Sequence, residues 1–149
     1  MSEKNNITYL RIGPGEEPHV QVAKIDFIQF ETGGGEDGVS EVAFDDVYIL
    51  YGKNAAEQNQ PMNRYIEFEE GRMMVACGTI AIFGKDENGY CSLTDEQMKK
   101  YFELFRKPHV FMMAFAKLLI FERSSFTEMN LIATYDLTEG AHEDAGTES

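Results

Sequence analysis

Cysteine, basic residues and long apolar runs are all scarce in this sequence of 149 residues. The only cysteines, Cys77 and Cys91, do not form a C-x-x-C pair, so we expect reduced thiols that are at least partly buried. No run reaches the roughly 18 apolar residues that a membrane-spanning helix needs. Residues 1–6 are polar and lack the apolar stretch of a signal peptide, so a cytoplasmic protein is expected.

The shortage of basic residues gives the chain a strong negative charge. It has 13 Lys and Arg against 26 Asp and Glu, a net charge of −13. A protein that binds nucleic acid through phosphates needs a basic face, so direct nucleic-acid binding is not expected, and neither is an anionic membrane surface. The charge leaves a basic host protein as the expected type of partner.

Apolar and aromatic residues are plentiful enough to form a core. They include eleven Phe and seven Tyr, and the apolar fraction is 43%. Fully disordered chains are poorer in such residues. The length predicts a single domain over residues 1–137, with residues 108–137 as an extension packed on it. The acidic, small-residue segment 138–149 is expected to be a disordered tail.

Short segments rich in β-branched and aromatic residues predict several strands. A glycine-proline turn, Gly13-Pro-Gly15, separates the first two and predicts an opening hairpin. The segment 25–30 fits either a short helix or a strand. Gly78, inside the apolar run 73–83, indicates a bulge or a close backbone approach. The predicted strands are 7–12, 19–23, 39–44, 47–51, 65–68, 73–83 and 126–135.

The main helix is predicted over residues 94–107. Thr94 and Gln97 have the spacing of a capping box, and apolar residues then recur at helical spacing. Pro108 ends the helix. Just before it, Asn88-Gly89 predicts a hairpin with a type I′ turn, which needs positive φ at both central residues.

The segment 110–121 is apolar except for Lys117, and its pattern leaves two structures open. A second helix at 109–122 and a buried strand both fit. An element that is apolar on all sides lies either in the core or in an interface. The predicted fold class is therefore α+β: a mostly antiparallel sheet, one main helix at 94–107, and 109–122 as a second helix or a strand.

No catalytic constellation stands out, and neither a metal site nor a cofactor is predicted. His19, His109 and His142 have no metal-ligand spacing and are expected to be ordinary histidines. Cys77 lies in an apolar strand, which would raise the pKa of its thiol and disfavour nucleophilic catalysis. Cys91 has no neighbouring histidine in the sequence to activate it.

Three motifs give the chain a resemblance to an uncharacterised family, numbered 3846 among the domains of unknown function. They are Arg11-Ile-Gly-Pro-Gly-Glu-Glu-Pro18, Pro61-Met-Asn-Arg64, and Gly78-Thr-Ile-Ala-Ile-Phe-Gly84 followed by Cys91-Ser-Leu-Thr-Asp-Glu-Gln-Met-Lys-Lys-Tyr101. The resemblance covers residues 7–107. It implies a protein carried by phages, plasmids or other mobile elements, some of whose members neighbour antirestriction-type genes. It implies no catalytic residue.

The leading functional hypothesis is a non-enzymatic accessory protein of a mobile genetic element that acts by protein–protein contact. A narrower version is an acidic DNA mimic of the antirestriction type, in which carboxylates replace phosphates. Asn63 and Arg64 are further interaction candidates, because polar pairs in loops often serve function. The alternatives are a small enzyme or ligand-binding domain whose site is assembled only in the fold, and a homo-oligomer that uses residues 110–121. The acidic candidates are Glu31, Glu36, Asp37, Glu41, Asp45 and Asp46.

Overall fold

The computed structural model describes residues 6–69 and 71–137, so the predicted tail at 138–149 lies outside the described residues. Its two helices and its antiparallel sheets confirm the predicted α+β class. A short 3₁₀ turn at Glu36–Gly38 precedes β3. The helices are α1 (Ile25–Gly33) and α2 (Asp95–Phe105), and the strands are β1 (Ile7–Ile12), β2 (His19–Ala23), β3 (Val39–Phe44), β4 (Val47–Gly52), β5 (Met62–Glu67), β6 (Met73–Cys77), β7 (Ile80–Asp86), β8 (Gly89–Cys91), β9 (His109–Ala114), β10 (Lys117–Ser125) and β11 (Glu128–Asp136).

The main sheet has the strand order β2-β1-β7-β4-β3, and β8 also pairs with β7. Every one of these pairings is antiparallel. The central strand β7 is buried from Ile80 to Gly84, because both faces of the sheet are covered. A buried strand of this kind shows a continuous apolar run instead of alternation.

The two faces of the main sheet have separate cores. On one face, Ile12, Ile49 and Ile82 pack with Tyr101 and Phe105 of α2 and with the β5–β6 hairpin. The other face packs mainly against α1: its cluster joins Tyr9 and Phe83 to Ile28. The chain therefore places its main sheet between two covering layers, an arrangement that buries apolar side chains on both faces.

The apolar run 73–83 forms two strands rather than one. β6 ends at Cys77 and pairs with β5, whereas β7 starts at Ile80 and joins the main sheet. Gly78 lies between them at φ 74°, a left-handed conformation that glycine adopts without the steric cost of a Cβ atom. The glycine therefore marks the point where the chain changes sheets.

Helix α2 confirms the predicted capping box. The Thr94 hydroxyl accepts a hydrogen bond from the Gln97 amide at 3.1 Å, and the Gln97 side chain accepts one from the Thr94 amide at 3.0 Å. Tyr101 and Phe105 form the buried stripe. The helix ends at Phe105, two residues earlier than predicted, with Arg106 as its C-cap.

The hairpin before α2 forms as predicted, but its turn is not type I′. Asp86 pairs with Gly89, so Glu87 and Asn88 are the central residues. Of the residues in this turn only Gly89 has a positive φ, of 114°. The Asp86 carboxylate accepts a hydrogen bond from the Asn88 amide at 2.8 Å, and this side-chain contact supplies the turn geometry.

The helix considered at 109–122 is wrong: β9 and β10 form an antiparallel hairpin there. Ala114 pairs with Lys117, which leaves Phe115 and Ala116 as the turn. β10 then pairs with β11, and this long-range pairing selects the strand over a helix that the local pattern also allowed. Within the described chain, no helix is long and apolar enough to cross a membrane.

Candidate functional site

Two of the acidic candidate residues form ion pairs with cations on strands of the main sheet. Glu31, at the end of α1, accepts a hydrogen bond from Arg11 Nε at 2.8 Å. Glu41, on β3, contacts Lys85 Nζ and the Tyr90 hydroxyl, each at 2.6 Å. Burial raises the pKa of the Glu41 carboxyl, but the hydrogen bonds from Lys85 and Tyr90 together hold it below its ordinary value.

Two more candidates attach the β3–β4 turn to α2. The Tyr101 hydroxyl lies within hydrogen-bond distance of the carboxylates of both Asp45 and Asp46, which share its one hydrogen. Lys100 forms an ion pair with Asp45, and Gln97 Nε2 donates to Asp46 at 2.9 Å. The bond from Lys100 lowers the pKa of Asp45, and the bond from Tyr101 lowers that of Asp46. These carboxylates therefore have a structural use within the fold.

Glu36 and Asp37, the last acidic candidates, lie exposed on the 3₁₀ turn before β3. Neither forms an ion pair with another described residue. The six carboxylates thus have different neighbours along α1, the 3₁₀ turn, β3 and the β3–β4 turn, and three of them pair with a cation. This pairing lowers the negative charge that the candidates offer to a partner.

Asn63 and Arg64 lie in strand β5 and not in a loop, and the side chains of both are fully buried. The Asn63 amide donates to the carbonyl of Ile12 at 2.8 Å and to that of Gly78 at 2.7 Å. Its side-chain oxygen accepts from Arg64 Nη1 at 2.9 Å. Asn63 therefore connects β1 to the glycine at which the chain changes sheets.

The Arg64 guanidinium binds backbone carbonyls from two distant segments. It donates to the carbonyl of Phe105 at 2.9 Å and to that of Glu16. Phe105 ends α2, where the helix dipole favours a cation. Burial lowers the pKa of Arg64 to about 10. The contacts of Asn63 and Arg64 are internal, and a binding partner would meet neither side chain at the surface.

His109, which sequence reasoning treated as ordinary, joins the C-terminal strands to the rest of the fold. Its Nδ1 accepts a hydrogen bond from the backbone amide of Tyr65 on β5 at 2.9 Å. Burial, with a smaller effect of the Arg64 charge, lowers the pKa of His109 to about 4. The imidazole is therefore neutral at neutral pH and holds β9 against β5. Only the tertiary fold reveals this role.

The thiols do not have the environment of a nucleophile. Burial raises the pKa of Cys77, and burial together with the nearby Asp86 carboxylate raises the pKa of Cys91. A reactive cysteine needs a shift in the opposite direction. In the part of the chain that the structure describes, no cluster of three or more His, Cys, Asp or Glu side chains could hold a metal ion.

Two surface concavities, of about 460 and 440 Å³, are lined by neither Cys91 nor Arg64. The first lies between the β3–β4 turn, the β5–β6 hairpin and α2. Its cations already have partners: Lys100 pairs with Asp45, and the Arg72 guanidinium lies 4.9 Å from the centre of the Phe68 ring. The second is lined by the end of α1 and the loop after β4, and its one charged lining residue, Glu31, pairs with Arg11.

The C-terminal sheet, made of β9, β10 and β11, carries most of the exposed large apolar side chains. Fourteen such side chains are exposed among the described residues, and eight of them belong to this sheet and its turns. Scattered single cases are normal on a protein surface, whereas larger apolar patches are typical of interaction surfaces. The eight are Met112, Met113, Phe115, Phe126, Met129, Leu131, Ile132 and Tyr135.

The register separates two faces of this sheet. Leu118 and Ile120 of β10 are buried, so the alternate residues Leu119 and Phe121 point to the opposite side. Residues that pair directly across antiparallel strands share a face. The side away from Leu118 and Ile120, called the outer face below, therefore contains Val110, Met112, Leu119, Phe121, Met129 and Leu131.

The turn between β9 and β10 holds its residues in an uncommon conformation. Phe115 has φ 54° and Ala116 has φ 63°. Positive φ at both central residues is the type I′ pattern, which normally uses Asn and Gly. Phe115 is also 98% exposed. The sequence thus keeps an aromatic ring in water at a position where its backbone costs free energy.

The comparison with known families agrees with this division of the chain. The family model described as Domain of unknown function (DUF3846) matches residues 7–106, which contain the main sheet, β5–β6 and both helices. The C-terminal sheet lies after the matched residues. No curated protein and no solved structure matches the chain. Because the match covers well over half of the sequence, the chain belongs to the DUF3846 family.

Proposed function

We propose that this chain is a non-enzymatic accessory protein that acts in the cytoplasm by protein–protein contact. The contact surface is the outer face of the C-terminal sheet together with the free edge of β11. In this proposal the family domain is the scaffold, and the setting is the mobile genetic element that the family resemblance implies.

The single observation that carries the proposal is the exposed outer face. Met112, Met129 and Leu131 are 48%, 42% and 55% exposed and lie on the same side of one sheet. Moving apolar surface out of water contributes about 25 cal/mol per Å². A partner that covers this face therefore gains free energy without any change in the family domain.

Several contacts support a binding role over catalysis. The thiols of Cys77 and Cys91 have raised pKa values, which keeps them protonated. His109 uses its Nδ1 atom to accept the Tyr65 amide. These groups are the usual nucleophiles and bases of small enzymes, and here they are either inactivated by burial or engaged in structure.

The narrower idea of an acidic DNA mimic draws on the net charge of −13 and on exposed Glu36 and Asp37. It has less support than the apolar surface, because Glu31, Glu41 and Asp45 each pair with a cation of the same chain. The mimic requires a basic partner whose binding is lost at high salt, since screening weakens exposed charge pairs.

A pull-down from host lysate distinguishes the two surfaces. The full chain carries a tag, an untagged copy is co-expressed, and retained proteins are identified by mass spectrometry at low and high salt. We expect a partner that is retained at both salt concentrations by the wild type and lost by Leu131→Lys. The matched control is Val22→Lys, which places the same charge on an exposed β-branched residue of β2.

Two results would count against the contact surface. One is a partner that Leu131→Lys retains as well as the wild type does. The other is a basic protein that is retained only at low salt and lost when Glu36→Gln and Asp37→Asn are combined, which would favour the acidic mimic. Circular dichroism of each variant checks that the fold is intact.

A further inference from the structure

We infer that the partner of the β11 edge, one part of this surface, is a second copy of the chain, and that β11 pairs antiparallel with β11 of that copy. The inference rests on the proposed function and makes it specific. It follows from the free edge of β11, from the distribution of charge, and from the symmetry of antiparallel pairing.

Among the strands of the described residues, β11 is the longest that lies at a sheet edge. It spans nine residues and, within residues 6–69 and 71–137, pairs only with β10. An open edge offers unpaired backbone N–H and C=O groups to another chain, and proteins usually block it with charge, proline or a short strand. Residues 129–135 contain neither a charged residue nor a proline.

The edges of the main sheet show the usual protection. β2 has only five residues and lies between Pro18 and Lys24. β3 carries Glu41, which is paired with Lys85. This contrast within one molecule indicates that the bare edge of β11 is used for pairing.

Charge selects a second copy over a foreign protein. Two copies with a net charge of −13 each repel one another wherever their acidic surfaces meet. Residues 108–137 hold three carboxylates and two cations, so this part of the chain is almost neutral. It is the region where two such acidic chains can meet with little repulsion. Its small net charge gives a strongly basic or strongly acidic foreign protein little electrostatic attraction.

Antiparallel pairing of one strand with itself is self-complementary, so a two-fold axis gives a closed dimer. It would join two three-stranded sheets into one sheet of six strands and cover both free β11 edges. The register with Ile132 opposite its own copy is disfavoured, because Glu128 would lie opposite the partner's Asp136. With Leu131 opposite its own copy, Glu128 instead lies opposite the partner's Thr134.

Pairing would also cover apolar surface beside the edge. Met129 and Leu131 lie on β11 and on the outer face, and they are 42% and 55% exposed. Burial of such surface favours association.

Sedimentation equilibrium of the full chain tests the inference. We expect a species of twice the 16.9 kDa chain mass at micromolar concentrations. Leu131→Lys and Thr134→Lys, both on β11, should weaken the dimer at least about tenfold, because each places a cation on the paired edge. Val22→Lys on β2 is the matched control and should leave the dissociation constant unchanged.

Hydrogen exchange gives a second readout that needs no variant. In the dimer, amides within residues 129–135 should exchange more slowly as the protein concentration rises, and those of α1 should not change. A wild type that stays monomeric at all concentrations would overturn the inference, and so would a dimer that both lysine variants leave intact or one that protects α1 in place of β11.

The two proposals can fail separately. Suppose that the wild type is monomeric and still captures a foreign protein, and that Leu131→Lys abolishes this capture. That result would contradict pairing with a second copy but would support the proposed contact surface. A monomeric protein whose capture of other proteins does not depend on Leu131 would contradict both proposals.

Discussion

At the scale of single residues, His109 makes the attachment of the C-terminal sheet sensitive to pH. Its neutral Nδ1 accepts the Tyr65 amide, and burial lowers its pKa from 6.5 to about 4. The unfolded chain therefore binds this proton at a higher pH than the folded chain does. Between pH 6.5 and about 4 the unfolded state holds more protons, so the free energy of unfolding rises with pH across that window.

We predict that this contribution is complete above pH 6.5 and is lost as the pH falls towards 4. Partial exposure of the ring reduces its size to about 1–3 kcal/mol. His109→Asn should remove it, because the amide oxygen takes the place of Nδ1 as acceptor and does not titrate in this range. Urea unfolding of both proteins at several pH values measures the difference.

The matched control is His19→Asn, since His19 lies exposed on β2. It makes the same substitution without changing the contact between His109 and Tyr65, so the loss of stability towards pH 4 should persist. The carboxyls of Glu41, Asp45 and Asp46 have lowered pKa values and lose their contribution at lower pH, so they cancel in the comparison. A wild type and a His109→Asn variant with parallel pH profiles would contradict the assignment.

Residue identity alone could not give the roles of Asn63 and Arg64. Both are polar residues near a predicted loop, a pattern that is typical of function. The carbonyls that Arg64 binds belong to Glu16 and Phe105, which lie 48 and 41 residues away. Arg64 reaches both carbonyls only because α2 and the β1–β2 connection pack against β5, so its structural role depends on the tertiary fold.

At the scale of elements, the turn between β9 and β10 holds an exposed Phe115 ring in a backbone conformation that lowers the stability of the fold. We predict that Phe115→Asn combined with Ala116→Gly stabilises the protein by about 1 kcal/mol or more. Phe115 and Ala116 both have a positive φ, which Asn and Gly adopt at a lower cost in free energy than Phe and Ala do. For a chain of this length that is roughly 3 °C in the unfolding midpoint, measured by thermal denaturation.

The turn between β10 and β11 provides the control for this prediction. Phe126 is also highly exposed, at 90%, but neither Phe126 nor Thr127 has a positive φ. Asn and Gly at these two positions should therefore give no gain in stability. An equal gain at both turns, or none at Phe115 and Ala116, would mean that backbone conformation is not the cause.

Local sequence signals correctly predicted the elements that are held by contacts between residues close in the sequence. The opening hairpin formed with the predicted bounds, because Gly13-Pro-Gly15 supplies a turn between two β-rich segments. The cap of α2 formed because Thr94 and Gln97 satisfy each other's backbone groups. The segment 109–122 failed as a helix because its apolar pattern has no period, and pairing with β11 decided the outcome.

At the scale of the whole molecule, the large negative charge gives opposite salt effects for the two modes of contact. An acidic surface that binds a basic protein loses affinity as salt rises, since the Debye length falls from about 30 Å at 0.01 M to about 10 Å at 0.1 M. Two copies of a chain with net charge −13 repel each other instead. Screening removes part of that repulsion and leaves the apolar contact intact.

We therefore predict that added sodium chloride strengthens the dimer, by a factor of about 3 to 10 between 0.05 and 0.5 M. Sedimentation equilibrium at each salt concentration measures the dissociation constant. Glu36→Gln combined with Asp37→Asn lowers the charge of each copy and should tighten the low-salt dimer without altering β11. A dissociation constant that rises with salt would show that charge attraction holds the copies together, which the near-neutral sheet cannot provide.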